Sequence, residues 1–289
     1  MQLIVNIVVL ASLYCLICAG YVLIYRSSRV LNLAHGELMA LCAYFLLTLA
    51  MSLPGHPILS LGISVLLCLL LGFCVYFFLM RFMTGEAVFA AVLVTVSLGI
   101  LIRGIITLVW TSQSWHPIQY MGIQNSSHVI FGNAVVSTFG MVAVTMAALV
   151  YGLLFLALKF TRWGLRMRAV GENPLLASQR GINLHWYYAM SWAFAAFTGG
   201  LAGMILACDS GLEPGMFILA LTAFPVVLVG GLDSLAGVIP GSIVVASAQV
   251  TAISISPQAS EVAPFVVLLA MLLVRPWGLF GTKEELERV

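Results

Sequence analysis

The chain has 289 residues, of which 62% are hydrophobic and only 8% charged, with a formal net charge of +2. Soluble domains carry about 25% charged residues, so a water-soluble fold is excluded and the surrounding solvent must be lipid. The near-neutral total says nothing about partners, but the placement of the charges does.

A spanning helix needs about 20 apolar residues. The candidates in order are Leu3–Tyr25, Leu33–Leu53, Ile58–Met80, Val88–Trp110, Val135–Leu158, Tyr187–Ala207, Phe217–Gly231, Leu235–Ile253 and Val262–Val274. They predict an all-α integral membrane protein, a polytopic bundle of about eight or nine transmembrane helices, some short or broken. Phe217–Gly231 spans only about 22 Å of a ~30 Å core. The lower count applies if Phe217–Ile253 folds as a re-entrant hairpin. Leu3–Tyr25 has no basic residue before it and reads as a retained helix, not a secretory signal. No low-complexity linker divides residues 1–289, which read as a single transmembrane domain.

Threading the segments with the Leu3 end outside puts Arg26, Arg29, Arg81, Lys159, Arg162, Arg166, Arg168, Arg180, Arg275, Lys283 and Arg288 inside. Arg103 alone is left, within a span, and the outer loops hold Asp209, Glu213 and Glu261. Basic residues gather on the cytoplasmic side, so the amino terminus is expected outside and the carboxyl terminus inside. Trp110, Trp115 and Tyr120 would form an outer aromatic belt, and Trp163, Trp186, Tyr187 and Tyr188 an inner one. The outer loop Thr111–Asn133 is polar, with Gly122 and Gly132 as turn residues, and the tail Gly281–Val289 is expected to be solvated. The six cysteines lie in apolar stretches without zinc-site spacing and read as packing residues.

Two regions interrupt the apolar pattern. In the first, Asn32, His35, Gly36 and Glu37 fall inside or beside a span. Intramembrane ionisable groups usually face a bundle interior or water. In a helix Asn32, His35, Gly36 and Met39 would share a face, with Glu37 about 200° from His35. Either the helix starts near Asn32, or His35 and Glu37 serve different neighbours. Threading puts Glu37 near the inner face and Arg103 near the outer, so Arg103 is expected to snorkel outward. The second region runs through Gly211–Met216, the short helix, and Gly230, Gly231 and Asp233. Glycine-interrupted segments mark binding or gating regions in transporters, although glycine also simply permits close packing. Asp233 or Ser234 would cap the helix at Leu235. A pathway between the two regions is the expectation.

The cytoplasmic loop at 159–186 holds the clearest local signals. Asn173 suits an N-cap and Pro174 the first helical position. Leu175 and Leu176 give an apolar edge beside Ala177. Arg180 suits the last turn, and Gly181 a left-handed C′ position. About seven residues are too few for a stable free helix, so the bundle or a partner must hold it.

This loop resembles the coupling loop of ABC importer permeases, which carry Glu-Ala-Ala followed after three residues by Gly. Ala177 and Gly181 match, while Leu175 stands where the Glu would be. Asn32 to Glu37, Gly164 to Arg168, Gly171 to Pro174, Gly181 to Asn183, Ala202-Gly203, Ala223-Phe224 with Gly230-Gly231, and Arg275 to Gly281 resemble in order the LivH-type permease of branched-chain amino acid ABC transporters. The likeness runs over nearly the whole chain. One departure is Asp233, where that family usually has Gly.

The resemblance implies a bacterial inner-membrane importer for branched-chain or related amino acids. Urea, amides and small aromatic acids remain alternatives. It implies four kinds of partner: membrane lipid, a second related permease, two cytoplasmic ATPases, and a periplasmic or lipid-anchored substrate-binding protein. Pathway or gate residues would be Asn32, His35, Gly36, Glu37, Gly230, Gly231 and Asp233. Coupling residues would be Asn173, Pro174, Leu175, Leu176, Ala177, Arg180 and Gly181. Lys159 and Lys283 are the only lysines and neither follows a phosphate-loop glycine run. No cofactor, metal or catalytic residue is therefore expected on this chain, and ATP would be bound by partners. The alternative is a self-sufficient secondary transporter or channel for a small polar solute. The coupling-like loop and the lack of a recognisable proton relay argue against it.

Overall fold

In the computed structural model, which describes residues 1–130 and 134–281, the chain is a bundle of α-helices. Its elements are α1 (Gln2–Ser28), α2 (His35–Ser52), α3 (Pro57–Phe78), α4 (Val88–Trp110), the short α5 (Pro117–Met121), α6 (Thr138–Phe160), α7 (Arg162–Glu172), α8 (Pro174–Gln179), α9 (Leu184–Asp209), α10 (Phe217–Gly230), α11 (Leu235–Ile253) and α12 (Pro257–Val274). Eight of these are long and apolar enough to cross a membrane. The tail with Lys283 and Arg288, and the turn residue Gly132, lie outside the described residues.

The long helices sort into a centre and a ring. In α1, α2 and α9, 72%, 72% and 83% of the apolar window is buried, against 11–33% in the other five. Among these inner helices α1 and α2 both pack on α9, and α3, α4, α6, α10 and α11 surround the three. Small residues make the close approach possible. A Cβ on Gly200 of α9 would lie 2.8 Å from the Cβ of Cys42, and one on Gly72 of α3 2.2 Å from the Trp192 carbonyl oxygen. The ring helices turn leucine, isoleucine and phenylalanine outward, as lipid requires.

Phe217–Ile253 is not a simple re-entrant hairpin. Glu213 accepts a bond from Ser114 Oγ at the α4 C-terminal end, while the charge of Asp233 reaches Arg26 at the other end. The short α10 and the turn Pro214–Met216 before it thus carry the chain through the bundle. Among the described residues eight helices are long enough to span, and the 14-residue α10 runs between the two ends of the bundle beside them.

Between α4 and α6 the sequence reading missed two strands. β1 (Ser127–Ile130) pairs antiparallel with β2 (Ala134–Ser137), so α6 starts three residues later than the apolar run suggests. Gly122 does take the expected left-handed turn, with φ of 66°. The inner aromatic belt also needs correction. Tyr187 and Tyr188 are buried in the bundle, and only Trp186 is strongly exposed. All six cysteines are free, and five are buried.

Candidate functional site

The first polar region is a break between helices. α1 ends on Arg29, in the left-handed conformation at φ 56°. Residues 30–34 are not helical, and α2 begins only at His35. Local bonds replace the missing helical ones: Asn32 Oδ1 accepts from the Ala34 amide at 3.1 Å, and Thr95 Oγ1 from the Leu33 amide at 3.1 Å. Asn32 therefore lies just ahead of the helix, outside it, and does not extend a face of α2.

The break changes the depth of everything after it. His35 Nε2 donates to the Ile17 carbonyl oxygen at 3.0 Å. Ile17 is 11 residues before the end of α1, or about 16 Å up the helix. The chain climbs back along α1 before α2 starts, so α2 begins in the interior. Gly99 is the midpoint of α4, and a Cβ there would lie 3.2 Å from the Glu37 carboxylate. Glu37 is therefore at middle depth, not near one face.

This corrects the expectation for Arg103. Its Nη2 donates to Glu37 Oε1 at 2.5 Å, and its guanidinium carbon sits 3.7 Å from the Phe217 ring centroid. It pairs inward instead of snorkelling. The threading failed because it treated Leu33–Leu53 as one crossing from the inner face, whereas its first turn starts deep inside. Glu37 is buried while the Arg103 side chain is 46% exposed.

His35 and Glu37 serve different neighbours. The His35 ring is fully buried in a slot between α1 and α9, 4.4 Å from the Tyr21 ring. The slot exists because two residues lack side chains. A Cβ on Gly20 would lie 2.4 Å from His35 Cε1, and one on Gly199 2.9 Å from Nε2. His35 Nδ1 and Asn32 Nδ2 are buried without a partner. Gly36 faces α10, where a Cβ would lie 2.9 Å from the Phe217 carbonyl oxygen. The first polar region thus does meet the start of α10.

It does not meet the other candidates. Gly230, Gly231 and Asp233 lie at the far end of α10, about 20 Å along the helix from Phe217. There the chain from Arg275 to Gly281 folds back as a strap. The Leu279 amide donates to the Val229 carbonyl at 2.8 Å and the Phe280 amide to Gly230 at 3.1 Å. Gly231 has φ of 108°, and a Cβ on it would lie 2.5 Å from the Gly281 nitrogen. These glycines serve backbone packing. Ser234, not Asp233, caps α11, accepting from the Gly237 amide at 3.0 Å. The sequence reading did not foresee the strap, although the glycines at 278 and 281 were visible.

The loop helix is as expected in most respects. Asn173 Oδ1 accepts from the Leu176 amide at 3.1 Å, and Pro174 opens α8. Arg180 is the C-cap and not part of the last turn, and Gly181 follows at φ 76°. The Ile182 amide reaches the Ala177 carbonyl at 3.1 Å and the Gly181 amide that of Ser178 at 2.9 Å, which together form a Schellman closure. Ala177 is buried against the bundle, while Leu175 and Leu176 are 68% and 56% exposed. Before it, α7 is an unforeseen amphipathic helix. Met167 and Val170 face inward, and Gly171 lies against the Arg26 carbonyl. All described Lys and Arg residues except Arg103 gather at this end of the bundle.

No group of three or more His, Cys, Asp or Glu side chains among the described residues is placed to hold a metal ion. The bundle thus holds an Arg–Glu pair at middle depth and, at one end, a short helix with two exposed leucines.

Comparison with known proteins gives the family. Residues 3–274 match the family model of the branched-chain amino acid transport system permease component. LivH, the permease protein of the high-affinity branched-chain amino acid transport system of Escherichia coli K12, is 25% identical over all of this chain and 97% of its own length. BraD from Pseudomonas aeruginosa is 24% identical over all of this chain and 98% of its own length. Among solved structures, PsaBC from Streptococcus pneumoniae in complex with Fab matches 96% of this chain and 93% of its own at 12% identity, with a TM-score of 0.49. The chain belongs to the family of branched-chain amino acid transport permeases. It is a multi-pass inner-membrane subunit of an ABC importer that forms part of a path for amino acids or other small solutes.

Proposed function

We propose that this chain forms half of a two-permease pathway for branched-chain or related amino acids, with Glu37 and Arg103 on the pathway wall. Exposure of Arg103 carries the reading. A guanidinium that is 46% exposed at middle depth would face hydrocarbon in a lone chain, which is costly. A second permease against the α2, α4 and α10 side would replace lipid there with protein and a water-filled path. Gly36 and the start of α10 border the same side. Asn32 and His35 lie one layer deeper and would position α2. Gly230, Gly231 and Asp233 would act at the inner end, where α10 meets the strap.

In this reading the amino terminus is outside and the α7–α8 end is cytoplasmic, since the basic residues gather there. Residues 159–186 form the coupling segment of a single transmembrane domain. Ala177 ties α8 to the bundle, and the exposed Leu175 and Leu176 dock into a groove on a cytoplasmic ATPase. ATP is bound by two such ATPases and not by this chain. A periplasmic or lipid-anchored binding protein delivers substrate to the β1–β2 side and sets most of the selectivity. Closure of the ATPases on ATP pushes α8, and the bundle opens to the other face.

Affinity purification of the tagged chain in mild detergent, with mass spectrometry, tests this. An ATPase and a second permease in near-stoichiometric yield are expected. A lone, monodisperse chain that transports after reconstitution without ATP would overturn it.

A further inference from the structure

On the side of the bundle away from Arg103, α6 and α11 both pack on α1 but make no extended contact with each other. The gap between them is a cleft of about 810 Å³. Its walls are apolar, with Phe155 on α6 and Ile239 on α11. Its end, beside α7, is not. Arg26, Lys159 and Arg168 line it, with Asp233 as the carboxylate among them. Glu172 is a further carboxylate whose charge reaches Arg26, and Arg168 and Arg29 act against it.

We infer that this cleft is a binding site for an anionic glycerophospholipid. Three observations point to that ligand. The lining carries three cations and one carboxylate, so it holds surplus positive charge. Arg168 lines the cleft and its Nε has no hydrogen-bond partner in the chain, so its guanidinium keeps donor capacity for a phosphate oxygen. Lys159 stands at the end of its helix with Nζ 5.2 Å from the Phe155 ring centroid, where a side chain at a membrane interface places its charge. The two ends of the cleft thus match the two ends of one molecule, with acyl chains along α6 and α11 and the phosphate at the cations. Basic pockets between membrane helices hold anionic headgroups in this way. A second protein subunit with an apolar face would fit worse, because it would strip water from the cations and return no charge.

The test uses the full-length chain in mild detergent, with native mass spectrometry and nanodiscs of phosphatidylcholine with or without phosphatidylglycerol. Retention of phosphatidylglycerol in preference to phosphatidylcholine is expected. Each basic residue near an anionic surface contributes about fivefold, so Lys159→Gln with Arg168→Gln should weaken retention ~30-fold. Gly152 lines the cleft, and a Cβ there meets nothing within 4 Å. Gly152→Trp should therefore fill the cleft and expel the lipid without touching a charge. Gly62→Trp, at an equally open position on α3, should leave it bound and reports on folding. Equal retention of both lipids, or unchanged retention in Lys159→Gln/Arg168→Gln, would overturn the proposal. So would dissociation of a permease partner by Gly152→Trp but not by Gly62→Trp, which would make the cleft a subunit interface.

Discussion

Glu37 is buried and bonded to a single cation from another helix. Removing one partner of such a pair leaves an uncompensated charge, which costs more than removing both. Arg103→Leu alone should therefore harm assembly and transport more than Glu37→Gln/Arg103→Leu. The coupling between the sites should be about 0.5–3 kcal/mol, toward the low end because Arg103 is half exposed. A double-mutant cycle on thermal stability in detergent measures it, and additive effects would show that the pair does not hold α2 to α4. His35 allows a steric counterpart. Gly20→Ala would drive a methyl to 2.4 Å from its ring, and overpacking of this kind costs about 1–3 kcal/mol. Gly20→Ala/His35→Ala should recover most of that loss in melting temperature. If it does not, the slot is set by the α1–α9 backbones and not by the imidazole. The sequence placed these polar residues in the membrane, because charge in an apolar run is visible. Their partners were not visible, since pairing depends on where α2 begins.

That starting point shows which elements can be read from a chain and which cannot. α8 was legible because each of its stops is a local rule: an Asn cap, a first-turn Pro and a left-handed Gly. The break at 30–34 was legible only in part: Asn32 marked a possible helix start, but nothing in the residues shows that the chain climbs back along α1 before α2 begins. β1 and β2 were missed because each has only four residues and β1 is largely exposed. α8 makes separable predictions. Asn173→Ala should destabilise the short helix by about 1 kcal/mol through loss of its cap, and lower ATP-driven transport with little change in the melting temperature of the bundle. Leu175→Asp/Leu176→Asp should leave the permease folded, since both side chains already face out, but abolish recovery of the ATPase in a pull-down. Retained ATPase at wild-type yield would mean that α8 is not the docking element.

Hydropathy found the spans but could not rank them by depth in the bundle. α1 and α3 have mean hydropathies of 2.6 and 2.7, yet α1 is central and α3 peripheral. Lipid and a protein core are both apolar, so the inner position of α1 comes from what packs on it. The lower values of α2 and α9, 1.3 and 1.5, reflect the small and polar residues that close packing uses, and there composition did carry a signal. Charge asymmetry likewise predicts which end of the bundle faces the cytoplasm, and this can be measured directly. Ser126, next to β1, and Glu86, between α3 and α4, are both exposed and stand at opposite ends. Five native cysteines are buried and the sixth, Cys74, is only partly exposed on α3, so the unaltered chain should react little with a membrane-impermeant maleimide. In intact spheroplasts Ser126→Cys should label and Glu86→Cys should not, and permeabilisation should expose the second. The reverse pattern would put α8 outside, away from any cytoplasmic ATPase, and would remove the basis for coupling through Leu175 and Leu176. The lipid cleft would survive that result, because its walls and cations belong to the bundle whichever leaflet they meet.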